Sequence, residues 1–161
     1  MTEPSAAATA TPVRTDLPFR LLALAWVITG GLTAAVTGPL GLEHGSWSAA
    51  FQVLVGGVMQ GVLGTAQQRL AARAPGRGVL LIELLTWNLG GLAVIGGTVL
   101  GAPLLVDAGG ALLVVAMVLM MRAVGRGAHG PAWALWLFRA ALVVTVVSIP
   151  VGLVLAHLRA A

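Results

Sequence analysis

Glu83 stands inside an apolar run, about one and a half turns from its start if the run is helical, with Arg69, Arg73 and Arg77 shortly before it. A charged group within such a run is costly and needs a reason. It can pair with one of those arginines near the headgroups, or it can accept a proton in passage across the membrane. Asp107 opens another apolar run, where the positive end of a helix favours a carboxylate. Glu83 and Asp107 are therefore the candidates for a proton or ion path. Glu43 and His44 are adjacent, and His157 lies near the other end of the chain. Together with Asp107 they offer two imidazoles and two carboxylates, a donor set suited to Zn²⁺, Cu²⁺ or another divalent ion. No two of them have the His-x-x-x-His spacing of a close ligand pair, and histidines at membrane boundaries are also ordinary interfacial residues. The chain has no cysteine, which excludes disulfides, thiolate metal sites and iron–sulfur clusters.

A second group of polar residues is uncharged. Gln52, Gln60 and Asn88 fall within apolar runs, where amides hydrogen-bond between helices at about 0.6–2 kcal/mol each. Trp47, Trp133 and Trp136 fit interfacial belts, whereas Trp26 and Trp87 lie deeper, where an indole N–H needs a partner. No nucleophile–base pair is visible. Ser46, Ser48 and Ser148 lack a Gly-x-Ser-x-Gly setting, and without lysine there is no phosphate-binding loop of the Gly-Lys type.

The elements that position these residues follow from composition. Of 161 residues, 58% are apolar and 9% charged, against roughly 45–50% and 25% in globular proteins. Such a chain is short of polar surface for water, and lipid is its natural solvent. The sequence predicts an all-α, polytopic transmembrane helix bundle with spans at about 17–38, 46–68, 78–100, 103–121 and 131–157. Each is near the ~20 residues that cross a hydrocarbon core. Thr15 or Asp16 can cap the first span, and Pro39 and Gly41 end it. Residues 1–14 read as a disordered cytoplasmic tail. The first apolar run is too long for a signal-peptide core and is expected to be retained. Only Gly101 and Ala102 join the third and fourth runs, which demands an antiparallel pair or one re-entrant unit.

Every basic residue is arginine. In the five-span reading Arg14, Arg20, Arg69, Arg73, Arg77, Arg122, Arg126 and Arg139 fall on one side, and only Arg159 on the other. The positive-inside rule puts that side, with the N-terminus, in the cytoplasm and the C-terminus outside. A four-span alternative would pull one strong apolar run out of the membrane. The same rule explains the basic balance better than nucleic acid does, so no nucleic-acid partner is expected. The Ala-, Gly-, Val- and Arg-rich composition suggests a GC-rich, bacterial origin and hence the bacterial cytoplasmic membrane.

Small residues recur at helical spacing: Gly30, Ala34 and Gly38; Gly57, Gly61 and Gly64; Gly97 and Gly101, with Gly90 and Gly91 earlier on the same run. Helices in lipid associate through close approach at such residues, so these are the expected packing faces. Pro150 can kink the last span, with Ser148 or Thr145 partly satisfying the freed carbonyls.

The stretch Gly57-Val58-Met59-Gln60-Gly61-Val62-Leu63-Gly64-Thr65-Ala66-Gln67-Gln68, followed by Thr86-Trp87-Asn88-Leu89-Gly90-Gly91, resembles part of the haem-copper oxidase catalytic subunit and its small NnrS-like membrane relatives. The resemblance covers about seventy residues. It implies a related helical scaffold, and in that family histidines near positions 52 and 67 or 68 ligate haem or copper. Here Gln52, Gln67 and Gln68 stand instead, and glutamine is a poor haem ligand. No haem site is carried over.

Three functions remain in view. The first is a structural or accessory membrane subunit, packing through its glycine-rich faces in the lipid bilayer as a homo-oligomer or within a larger membrane complex. The second is a haem- or divalent-metal-binding electron-transfer or sensor protein using His44, His157, Asp107 and Glu43. The third is a small transporter or proton-coupled permease using Glu83 and Asp107. The scarcity of charge favours the first, and no enzyme is expected.

Overall fold

The structure, a computed structural model, describes residues 16–125 and 128–160, with side chains beyond Pro150 described only at Val154. The expected tail, Arg14, Thr15 and Arg126 lie outside the described residues, as do the side chains of His157 and Arg159. Among the described residues there are helices and no strands. Five helices are long and apolar enough to cross a membrane. They are α1 (Leu17–Leu40), α2 (Gly45–Leu70), α3 (Arg77–Val99), α4 (Pro103–Gly125) and α5 (Ala132–Ala160), whose stretch Ala132–Pro150 is by itself long and apolar enough.

Two connections share one device. Helix α1 runs through Pro39 to Leu40, slightly farther than expected. Gly41 then takes a left-handed conformation (φ 59°), with Gly41 N donating to Gly38 O and Leu42 N to Thr37 O. Gly101 (φ 61°) ends α3 in the same way, with bonds to Thr98 O and from Ala102 N to Gly97 O. This is the glycine-terminated Schellman arrangement, and Pro103 then suits the first turn of α4. Helices α3 and α4 are thus two full-length antiparallel neighbours, not a single re-entrant unit. The start of α1 departs from expectation. Asp16 occupies the capping position without a side-chain cap bond, and its carboxylate faces Arg20 at 3.7 Å instead.

Glycines set how closely the helices approach. A Cβ on Gly90 would fall 2.8 Å from the Gly109 carbonyl oxygen, and one on Gly109 would fall 2.7 Å from that of Gly90. Helices α3 and α4 therefore meet backbone to backbone, and Gly97 repeats the contact against Val106. Gly109 was not among the expected packing residues. Helix α1 lies on α2: Phe19 covers Gly64, Trp26 covers Gly56, Val27 covers Gly57, and Val53 packs on Gly30. Gly61 faces Ala23. Gly38 has open space beyond its α-carbon and Ala34 is exposed, while Gly101 serves the turn. The core lies between α2, α3, α4 and α5, around Leu63, Trp87, Leu113, Met117, Met120, Phe138 and Leu142. Helix α2 is continuous but wound as a π-helix over Gln52–Met59. Such stretches are rare and often mark functional regions.

Candidate functional site

One face of α2 carries the buried polar side chains Ser48, Gln52, Gln60 and Gln67. Gln60 and Gln67 are seven residues apart, which places them on the same side of the helix, about 10 Å apart along its axis. On α3 the buried positions Leu80, Glu83, Trp87, Gly90, Val94 and Gly97 follow alternating steps of three and four. That is the seam of a helix packed along its length, and Glu83 is on it. The two seams meet near the arginine-rich end of the bundle. Glu83 is 0% exposed, and Gln67 Nε2 donates to both of its carboxylate oxygens at 3.0 Å.

The expected pairing of Glu83 with Arg69, Arg73 or Arg77 is not what forms. Those three arginines are exposed, Arg69 and Arg77 at helix ends and Arg73 in the connection between them, and the side-chain partner described for Glu83 is Gln67. The reason is geometric: the α3 seam turns Glu83 inward, whereas Arg77 at the helix start and Arg69 at the end of α2 face outward. Glu83 is the only titratable side chain among the buried polar residues described. An uncompensated anion in a low-dielectric interior is costly, and one amide donor offsets only part of that cost.

Two further features mark the region as polar and unfinished. Gln67 Oε1 has no hydrogen-bond partner, and at Gln60, 0% exposed, neither Nε2 nor Oε1 has one. A buried amide left unpaired costs about 2–7 kcal/mol depending on the reference state. Such groups in native proteins call for water, an ion or a functional account.

Nearer the start of α2 the polar side chains are satisfied. Gln52 Nε2 donates to Thr33 Oγ1 and Ser48 Oγ, each at 3.1 Å. Both deep indoles find partners: Trp26 Nε1 donates to Asn88 Oδ1 at 2.7 Å and Trp87 Nε1 to Val55 O, within the π-helix, at 3.3 Å. Thr145 and Ser148 donate to the carbonyls of Ala141 and Thr145. Neither reaches Val146, the carbonyl whose helical partner Pro150 removes.

At the opposite end of the bundle a cavity of about 1030 Å³ is lined by Glu43, His44, Trp47 and Phe51 and extends down to Val55 and Leu113. Glu43 and His44 therefore share one cavity. Asp107, half-buried on α4, is not in its lining, and His157 lies outside the described side chains. Among the described residues no three histidines or acids come together as metal ligands. Glu83 and Asp107 belong to opposite ends of the bundle and form no common site. Neither a protein-family model, nor a curated protein, nor a solved structure matches the chain.

Proposed function

We propose that this chain is a small multi-pass membrane protein of the proton-coupled permease kind, in which Glu83 takes up and releases a proton inside the bundle. The observation that carries the reading is a fully buried carboxyl held by an amide alone, with the arginines of its own end turned away. Ionisable side chains inside spans are costly to keep there, and they recur in proton relays and ion pathways. A proton supplies the missing counter-charge and adds no bulk. The arginine-rich end, with its short connections, is the cytoplasmic end by the positive-inside rule. The resemblance to haem-copper oxidase relatives enters as scaffold only, since the positions where that family has ligand histidines carry the buried Gln52 and Gln67. The test is proton uptake by proteoliposomes under an imposed gradient. Glu83→Gln, which keeps the size and a hydrogen bond to Gln67, should abolish it. Uptake equal to that of the unaltered protein would remove the proposal.

A second reading, an accessory subunit that packs against another chain, has its own support. Gly31, Ala34, Ala35 and Gly38 form an outward face on α1, with open space beyond Gly31 and Gly38. Small-residue faces of this kind bring helices together in lipid. The chain lacks cysteine, so Ala35→Cys can be oxidised in membranes without background. A cross-linked product supports an interface on α1, and a product absent at every expression level argues against it.

A further inference from the structure

Trp87, 1% exposed, sits one turn beyond Glu83 on the same seam and anchors its indole on Val55, at the floor of the opposite-end cavity. The direct way from that cavity to Glu83 is therefore filled by an aromatic ring. Beside it on α2 runs another way. Between Val55 and Gln67 the one buried polar side chain described is Gln60, five residues from the first and seven from the second, the latter step about 10 Å along the helix. Its amide can accept at Oε1 and donate at Nε2, and neither atom is used within the protein. Gln67, next in line, has an unused Oε1 beside the amide nitrogen that holds Glu83. Buried polar atoms left without a protein partner, as at Gln60 and at Gln67 Oε1, are where buried water is retained.

We propose that Gln60 is a relay residue: with bound water it links the opposite-end cavity to Gln67 and Glu83, so that Glu83 exchanges protons with that side of the membrane. The inference rests on the reading of Glu83 as a proton carrier. In the step itself a hydronium ion in the cavity gives up a proton and becomes water, each hydrogen-bonded water along the way breaks one O–H bond as it gains another, and the last forms an O–H bond on a Glu83 carboxylate oxygen. Gln60 and Gln67 keep their protons in number and only exchange hydrogen bonds. The charged and titratable groups at the Glu83 end of this route are Asp16 just before α1, Arg20 on α1, Arg69 on α2, Arg73 in the following connection, Arg77 on α3, Arg122 on α4, His129 before α5 and Arg139 on α5; Glu43, His44 and Asp107 stand at the cavity end. The arginines and His129 are exposed, and among the described contacts the side-chain partner of the Glu83 carboxylate is Gln67.

The experiment uses the full chain in supported bilayers, with the pH stepped on one side at a time while infrared spectroscopy follows the carboxyl band lost in Glu83→Gln. Gln60→Met keeps the length and removes both hydrogen-bonding atoms. It should slow the response to a step on the cavity side about tenfold, the kinetic equivalent of one hydrogen bond, and leave the arginine-side response unchanged. Gln60→Leu serves as a second variant should Met pack poorly, with the same expectation. An unchanged cavity-side response in either folded variant overturns the relay while leaving Glu83 as a carrier. A carboxyl band that is absent, or that Glu83→Gln does not remove, overturns the reading of Glu83 itself.

Discussion

Gln67 Nε2 lies 3.0 Å from both carboxylate oxygens of Glu83, and both side chains are fully buried. The bond joins the end of α2 to the early turns of α3, so the two partners depend on each other. Gln67→Leu leaves the carboxyl without a donor and should destabilise the protein by about 1–3 kcal/mol or more. Glu83→Leu should cost a similar amount by stranding the amide. The double variant, with both groups apolar, should recover most of the loss. Unfolding titrations of the three variants in mixed micelles check this, and strictly additive losses would contradict it.

The α3–α4 crossing should be intolerant of a single methyl. Gly109→Ala places a Cβ 2.7 Å from backbone atoms of Gly90 and Val94, which cannot swing aside as a side-chain tip can. Overpacking of this kind costs about 1–3 kcal/mol. Gly96→Ala, where nothing lies within 4 Å, should be neutral or slightly stabilising. Thermal unfolding of the two variants in one detergent separates them, and equal midpoints would argue against the close crossing.

Much of the architecture was legible in the amino-acid order, because apolar length acts locally. The five spans needed only counting. The burial of Glu83 was legible too in the steps of three and four linking Leu80, Glu83, Trp87 and Gly90, a seam that proximity to three arginines obscured. Its partner was not. That Gln67 rather than an arginine meets Glu83 depends on the register between α2 and α3. The pairing of Trp26 with Asn88, 62 residues apart, depends likewise on α1 and α3 coming together across α2. The π-helical stretch leaves no mark in apolar periodicity, and Gly109 showed as a packing residue only once α4 was laid against α3.

The bond from Trp26 Nε1 to Asn88 Oδ1 should behave as a coupled pair. Asn88→Leu and Trp26→Phe should each lower stability, and a double-mutant cycle should give a coupling near the ~0.6–2 kcal/mol of interhelical bonds in membranes. A coupling of zero would contradict the contact.

Orientation is open to a labelling test, since every cysteine introduced will be the only one in the chain. Ala72→Cys, between α2 and α3, should react with an impermeant maleimide only after the cytoplasmic side is opened. Ser46→Cys, at the start of α2, should react in intact cells. The reverse pattern would invert the topology.

The most direct measurement for the central claim is the infrared difference spectrum of the purified, bilayer-reconstituted protein between acid and alkaline conditions, with Glu83→Gln beside it. The account predicts a carboxyl band that appears and disappears with pH in the unaltered protein and is missing from the variant. Identical difference spectra for the two proteins would mean that Glu83 exchanges no proton, and the proposed function would fall.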